Sequence, residues 1–438
     1  TAALPVHEPG APKGTLPHRT LGRSAAGVAE NVVSSPEYLL NAIAADYETF
    51  LNRPATTSDP PPAKPDDPVD PNYPSPHTAL PTLDYNGGPI LESATIVTVT
   101  FPGEEKKALL EEFGDTITQT PWWDTVSEGY CGQGKCVGRG KSGGHVVMPD
   151  AALTHYVDSA NGSSGDPASL QDWIRKYVAN GTLPAPDGKN TLYAFYFPAG
   201  TSIELDGAGS CQEFGAYHNS TDVTPPGGTS TRVAYAVMPR CGNSTTQLTL
   251  SASHEFTEAA TDPFVGHNDI AYYMRNQLWS RFGGENADLC VNSGYGGAHV
   301  EGKFTVQRSW SNKSAQAGHD PCVPIPANSA YFNVAPDKGF EQIKLAQGES
   351  MDITLKAFSD QPIGDWSIDA VEFSSFMGGA SYLTFKLDKD TVHNGSKVTL
   401  TVTAEKKIPS YAMYVVTSQK GQERHSWPLV VTPKTSSK

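Results

Sequence analysis

The residues in this sequence that can do chemistry lie close together, in residues 251–263. On a helix, residues four apart point the same way, so His254 and Glu258 would face one place with Glu255 beside them. An imidazole and a carboxylate at this spacing can bind one Zn²⁺ and leave room for a third ligand and a water. An adjacent carboxylate can take a proton from that water as it attacks a carbonyl. We therefore predict His254 and Glu258 as metal ligands and Glu255 as general base.

The pattern departs from the H-E-x-x-H motif of zinc hydrolases, because Glu258 stands where the second histidine would be. A carboxylate ligand is harder than an imidazole, so Mn²⁺ and Ca²⁺ are alternatives to the single catalytic Zn²⁺ that we predict. The competing interpretation is a solvated helix face with ordinary charges. A buried helix would favour the metal, since buried carboxylates need a compensating cation.

The third ligand is expected from the segment after the helix, residues 283–290. Glu285 is the preferred ligand. Asp288 is either an alternative ligand or an acceptor that orients His254. Asp262 can also reach the metal, but a turn role at the end of the helix is favoured. The competing interpretation is an acidic surface turn.

Further groups near this segment can stabilise charge in a transition state. We predict His218 and Tyr273 in this catalytic role, with His218 as an alternative ligand. His267 and Tyr272 are further candidates. For each of these residues, a loop or core position is the competing interpretation.

The elements that must position these residues alternate between strands and helices from residue 83 to 327. Ser244 or Thr245 can cap the helix that carries His254, and Asp262-Pro263 ends it. The hydrophobic patterns predict strands at 95–101, 145–148, 191–197 and 232–238, and helices at 104–113 and 169–178. We predict an α+β fold, a mixed α/β zincin-like core that forms the metal-dependent catalytic domain.

The two ends of the chain have a different character. Residues 1–82 are rich in proline, with one predicted helix from residue 35 to about 50, and we predict an arm or pro-segment that lies along the next domain. Residues 328–438 contain period-two segments, which predict an antiparallel β-sandwich of immunoglobulin or fibronectin-III type. Trp366 and Trp427 there can contact carbohydrate or cell wall, although packing inside the sandwich is favoured.

Composition excludes several classes of function. The net charge of -15 and the 32 Lys and Arg residues argue against nucleic-acid binding, which depends on clustered cations. No apolar run approaches the length that spans a bilayer. The six cysteines form three neighbouring pairs, 131 with 136, 211 with 241 and 290 with 322, although six cysteines allow other connectivities. We predict a secreted protein with disulfide bonds.

Several motifs follow one another in order along residues 83–325. They are Tyr85-Asn86-Gly87-Gly88-Pro89, Pro121-Trp122-Trp123, Tyr217-His218, Tyr235-Ala236-Val237-Met238-Pro239, Ser253-His254-Glu255-x-x-Glu258-Ala259-x-Thr261-Asp262-Pro263 and Glu285-x-Ala287-Asp288-x-Cys290. Together they resemble the EXORDIUM-like (phosphate-induced) proteins of plants and their bacterial and fungal relatives. Plant members commonly have Asn where this chain has Asp262, which argues against Asp262 as an indispensable ligand. The resemblance implies a secreted or cell-wall protein with a zincin-like His-Glu-x-x-Glu site.

Two hypotheses follow. The first is a secreted zinc-dependent endopeptidase that acts on a protein or peptide substrate, with Glu255 as general base. Peptide hydrolysis is favoured over glycoside hydrolysis, which usually uses two carboxylates and no metal. The second is a non-catalytic cell-wall or carbohydrate-associated protein whose metal site is structural.

Overall fold

The computed structural model of the chain describes residues 68–160, 162, 165–264, 269–291, 297–338, 343–372, 381–421 and 423–434. The helix predicted from residue 35 to about 50 lies outside these residues, as does His267.

The chain between residues 83 and 323 mixes strands and helices, as expected for an α+β fold. Its described helices are α1 (Lys107–Thr116), α2 (Pro121–Ser127), α3 (Leu170–Ala179), α4 (Thr245–Thr261) and α5 (Asn312–Ala317), with short 3₁₀ helices at Ile117–Gln119, Trp279–Phe282 and Asp288–Cys290. Its described strands are β1 (Leu83–Tyr85), β2 (Ser93–Thr100), β3 (Cys131–Gly132), β4 (Lys135–Cys136), β5 (Gly138–Val147), β6 (His155–Asp158), β7 (Thr191–Tyr196), β8 (Ser202–Leu205), β9 (Ala208–Gly209), β10 (Tyr217–Val223), β11 (Thr231–Met238), β12 (Tyr272–Met274), β13 (Ala298–Glu301), β14 (Phe304–Gln307), β15 (Ser309–Trp310) and β16 (Cys322–Val323).

A five-stranded sheet in the order β10-β11-β7-β2-β5 forms the centre of this part. Its neighbours pair in parallel except β10 and β11, which are antiparallel. The predicted strands at 95–101, 191–197 and 232–238 are confirmed, because central strands buried on both faces have nearly continuous apolar sequences. β5 is longer than the predicted 145–148, since most of this edge strand is exposed and its glycines and polar residues leave no hydrophobic pattern.

Helices cover both faces of the central sheet. Side chains alternate along a strand, so Tyr217 faces the apolar cluster that includes α3. His218, the next residue, therefore lies on the opposite face, where Ala236 of β11 packs with α4. The alternation of side chains along the edge strand β10 thus directs His218 towards α4, the helix that carries His254.

Helix α4 begins and ends where the sequence predicts. The hydroxyl of Ser244 accepts a hydrogen bond from the backbone N–H of Gln247, and Asp262 follows the last turn. Every residue from Gln247 to Thr261 is buried. The interpretation of this helix as a solvated charged face is therefore wrong, and its two glutamates and one histidine lie inside the protein.

The C-terminal part consists of two sheets, in the orders β17-β19-β23-β21 and β18-β25-β24-β20-β22. The period-two pattern of β19 and β23 places Ile353 and Leu400 inside, and Trp366 and Trp427 are also buried. These two tryptophans therefore offer no exposed platform for carbohydrate. The strands are β17 (Phe332–Pro336), β18 (Ile343–Leu345), β19 (Ser350–Ser359), β20 (Trp366–Glu372), β21 (Leu383–Leu387), β22 (Thr391–Val392), β23 (Lys397–Ala404), β24 (Ala412–Lys420) and β25 (Glu423–Pro433).

The described residues before β1 lie against the C-terminal sheets. The backbone N–H of Asp70 donates to the carbonyl of Asn394, and the hydroxyl of Ser75 donates to the carbonyl of Ala357. The ring of His77 stacks on Phe358 with centroids 3.6 Å apart. The sequence predicts that this segment lies along the domain that follows it. In the structure, these hydrogen bonds and the ring stacking instead involve residues of the C-terminal sheets.

Three disulfide bonds join Cys131 to Cys136, Cys211 to Cys241 and Cys290 to Cys322, so the predicted pairing of neighbours is confirmed. The third disulfide ties the short helix Asp288–Cys290 to β16. Among the described residues, every helix is too short or too polar to cross a bilayer.

Candidate metal centre

The first ligand pair of the centre comes from one turn of α4. Nε2 of His254 lies 3.1 Å from Oε1 of Glu258, so the two side chains face the same point. This confirms the stacking that the spacing predicts. Both side chains are almost completely buried, with 0% and 2% of their surface exposed.

Asp288 completes a set of three with this pair. Its Oδ1 is 3.5 Å from Nε2 of His254, and its backbone N–H donates to Oε1 of Glu258. His254, Glu258 and Asp288 each offer one atom within 4.8 Å of the others, a geometry that can hold a metal ion. The structure thus brings the predicted alternative ligand, Asp288, to His254, whereas the preferred ligand, Glu285, lies elsewhere in the cluster.

Glu285 lies against His218 instead. Its Oε1 is 3.4 Å from Nε2 of His218, while Nδ1 of the same ring is 3.3 Å from Oε2 of Glu255 and 3.7 Å from Oε2 of Glu258. His218, Glu258 and Glu285 form a second set whose ligand atoms lie within 4.8 Å of one another. The sequence predicted each residue separately, but it did not predict that Glu258 belongs to both sets.

Gln307 orients His254, although no motif in the sequence points to this residue. Its Oε1 lies 2.9 Å from Nδ1 of His254, and its own amide N–H donates to the carbonyl of Ala287. The second contact directs the oxygen of the amide towards the imidazole, so Nδ1 must carry the proton. In the neutral imidazole, Nε2 is then free of a proton and points at Glu258 and Asp288, as a metal-binding histidine requires.

Two consecutive glycines allow the loop that carries Glu285 and Asp288 to approach the site. Gly283 and Gly284 have φ angles of 136° and 124°, which residues with a Cβ atom rarely adopt. A Cβ on Gly283 would overlap the carboxylate of Asp288, and one on Gly284 would overlap the ring of Tyr273. The hydroxyl of Tyr273 donates to the carbonyl of Gly283 over 2.9 Å. In this structure, Tyr273 is thus a residue that positions the loop.

Asp262 and Tyr272 also make structural contacts. One carboxylate oxygen of Asp262 accepts a hydrogen bond from the backbone N–H of Ala271, in agreement with the favoured turn role. The carbonyl oxygen of Asp262 lies 3.1 Å from Nε2 of His218. The hydroxyl of Tyr272 donates to the carbonyl of Cys131.

The electrostatics of the first set favour a positive charge between its side chains. Burial lowers the pKa of His254, but the carboxylates of Glu258 and Asp288 together raise it by more than burial lowers it. The pKa of His254 therefore lies well above its usual value. Burial and the charge of Glu258 raise the pKa of Asp288 to about 7. Nε2 of His254 and Oδ1 of Asp288 are buried without a hydrogen-bond partner among the described residues. Buried polar atoms of this kind need compensation, and a divalent cation between them would provide it.

Replacing Gln307 with leucine is expected to weaken binding of Zn²⁺ by about 10–100-fold, because Nδ1 of His254 loses the acceptor that fixes its tautomer. Isothermal titration calorimetry with Zn²⁺ measures this change. Gln171→Leu is the matched control, since Gln171 is also buried and hydrogen-bonded but contacts Asp158 on the opposite face of the sheet. Equal losses of affinity in the two variants would contradict the orienting role of Gln307.

Comparisons with known proteins do not identify this centre. No protein-family model matches the chain, and no curated protein matches it. Among solved structures, a FixG-related protein from Vibrio parahaemolyticus is 13% identical, with a TM-score of 0.18 over 24% of this chain and 97% of that chain. The periplasmic chaperone SfaE is 7% identical, with a TM-score of 0.18 over 25% of this chain and 59% of that chain. A titin M4 structure is 9% identical, with a TM-score of 0.16 over 24% of this chain and 95% of that chain. Similarity at this level gives no information about function.

Proposed function

We propose that this chain is a secreted zinc-dependent hydrolase that cleaves peptide bonds, with a zincin-like core. The observation that carries the proposal is the buried set of His254, Glu258 and Asp288, in which Nε2 of His254 faces two carboxylates. Imidazole and carboxylate ligands suit Zn²⁺, and Mn²⁺ is the next candidate. The resemblance to EXORDIUM-like proteins and the three disulfide bonds support secretion.

Glu255 is the general base in this proposal. A bound cation would polarise the scissile carbonyl and lower the pKa of a water molecule. Glu255 follows His254 in the sequence, and its Oε2 lies 3.3 Å from Nδ1 of His218. His218 therefore holds this carboxylate in place, and Glu255 accepts the proton of the attacking water.

Peptide bonds are the proposed substrate because sites that combine histidine and carboxylate ligands with an adjacent glutamate most often serve peptide hydrolysis. Glycoside hydrolysis normally relies on two carboxylates without a metal. The buried carboxylates of Glu258, Glu285 and Asp288 lie instead in sets with histidines, which supports the metal-dependent class.

A structural cation is the second candidate, and the burial of the centre favours it. His254, Glu258 and Asp288 have at most 2% of their surface exposed, whereas a catalytic metal needs a position open to water and substrate. In this case the ion would hold α4 and residues 283–290 together, and the chain would act as a non-catalytic protein of the cell wall or of carbohydrate surfaces.

Zinc-loaded protein is expected to cleave members of a peptide library, and His254→Ala is expected to lose this activity by at least about 10²-fold, since the ligand cannot be replaced. Mass spectrometry of the products measures the cleavage, before and after chelation of Zn²⁺ and after its readdition. His145→Ala is the matched control, because this histidine lies 2.8 Å from Asp115 but at the protein surface. Bound zinc without any cleavage would contradict the enzymatic proposal and favour the structural cation.

A further inference from the structure

We propose that the buried cluster binds two divalent cations and that Glu258 bridges them. The inference rests on the proposed metal-dependent function and deepens it. The two sets of ligands share Glu258, whose Oε1 lies 3.1 Å from Nε2 of His254 and whose Oε2 lies 3.7 Å from Nδ1 of His218. One carboxylate thus directs each of its two oxygens to a different histidine.

Each histidine lies beside an oxygen that can only accept a hydrogen bond. Nδ1 of His254 lies 2.9 Å from the amide oxygen of Gln307, so this nitrogen carries a proton. Nε2 of His218 lies 3.1 Å from the carbonyl oxygen of Asp262 and 3.4 Å from Oε1 of Glu285. A histidine that binds a metal commonly donates its other N–H to such an acceptor.

Carboxylates surround both rings. For Nε2 of His254 they are Glu258 and Asp288, at 3.1 and 3.5 Å. For His218 they are Glu255 and Glu258 beside Nδ1, at 3.3 and 3.7 Å, and Glu285 beside Nε2, at 3.4 Å. The lone pair of a neutral imidazole and a carboxylate oxygen repel each other unless a positive charge lies between them. A divalent cation beside each histidine would supply this charge.

The charges of the cluster support two ions over one. Glu255, Glu258, Glu285 and Asp288 are all buried, with at most 2% of their surface exposed. Two divalent cations would balance these four carboxylates when both imidazoles are neutral.

The shared carboxylate also fits a two-metal centre. Ions in such centres lie roughly 3.5–4 Å apart, a separation that one carboxylate can bridge. The first ion would be held by His254, Glu258 and Asp288, and the second by His218, Glu258 and Glu285. All ligand atoms are nitrogen or oxygen, which suits Zn²⁺ and Mn²⁺.

The full chain, stripped of metal and then saturated with Zn²⁺, is expected to bind two equivalents by native mass spectrometry and by elemental analysis. His218→Ala and His254→Ala are each expected to bind one equivalent, and Glu258→Ala less than one, because it contributes to both sets. His145→Ala, the surface control, is expected to bind two. Circular dichroism establishes that each variant is folded.

A measurement on the unmodified chain makes the test independent of the variants. Loading with Mn²⁺ is expected to give the electron paramagnetic resonance spectrum of two exchange-coupled ions. Binding of only one equivalent of Zn²⁺ by the unmodified chain and the same one equivalent by His218→Ala, together with an uncoupled Mn²⁺ spectrum, would overturn the two-ion inference and leave the single-ion hydrolase in place. In that case His218 is a protonated imidazolium between carboxylates. Absence of binding at saturating Zn²⁺ would overturn both proposals, and two equivalents without peptide cleavage would retain this inference and contradict only the enzymatic function.

Discussion

Glu255→Gln is expected to lower the rate of peptide cleavage by about 10²–10⁴-fold while zinc remains bound. The amide keeps the size of the carboxylate and its proximity to His218, but it cannot take a proton from water. Glu255 belongs to neither of the two sets of three ligands, so binding of Zn²⁺ should change little. Cleavage of a peptide identified from the library, followed at saturating Zn²⁺, gives the change in kcat, and native mass spectrometry gives the metal content.

The matched control is Glu112→Gln, which removes a carboxylate that pairs with Lys303 at the surface. This variant should cleave the peptide at the rate of the unmodified chain. Unchanged cleavage in Glu255→Gln, with zinc bound, would show that Glu255 is not the general base. Loss of zinc from Glu255→Gln would instead make this residue a ligand.

Arg308→Met is expected to lower the free energy of unfolding by about 3–5 kcal/mol, because it leaves the carboxylate of Asp320 buried without its counter-charge. Arg308 and Asp320 form an ion pair in which both side chains are buried. Nε of Arg308 also donates to the carbonyl of Pro324 over 3.0 Å. Arg308 directly follows Gln307, so this ion pair supports the strand from which Gln307 reaches His254. Urea unfolding, followed by tryptophan fluorescence, measures the change.

Arg232→Met provides the matched control for the buried ion pair. Arg232 pairs with Asp222 and Asp269, but all three side chains are partly exposed, so its loss should cost no more than about 1 kcal/mol. The double variant Arg308→Met with Asp320→Leu should recover much of the stability lost in Arg308→Met, since no buried charge remains. Equal destabilisation by Arg308→Met and Arg232→Met would contradict the importance of burial.

Local sequence determined the elements of the centre that depend on neighbouring residues. The capping Ser244 and the end at Asp262 define α4, and the spacing of His254 and Glu258 defines their common direction, because the geometry of one helical turn is independent of the rest of the fold. The buried strands were predictable because a short segment that is apolar at almost every position is typical of a strand buried on both faces of a sheet. The pairing of neighbouring cysteines also agrees with the structure.

Only the tertiary structure decided which distant groups meet at that helix. Glu285 and Asp288 are three residues apart, and the direction of each depends on the glycine turn before them and on the contact of Tyr273 with Gly283. Gln307 carries no chemical signal of its own, and it becomes important because its strand passes beside α4. His218 reaches the same cluster through the alternation of β10, which no local motif records. The sequence by itself therefore determined the direction of two of the five candidate ligands, those on one helix. The packing of loops and strands from other parts of the chain selected the other three, because contacts between distant residues depend on the whole fold.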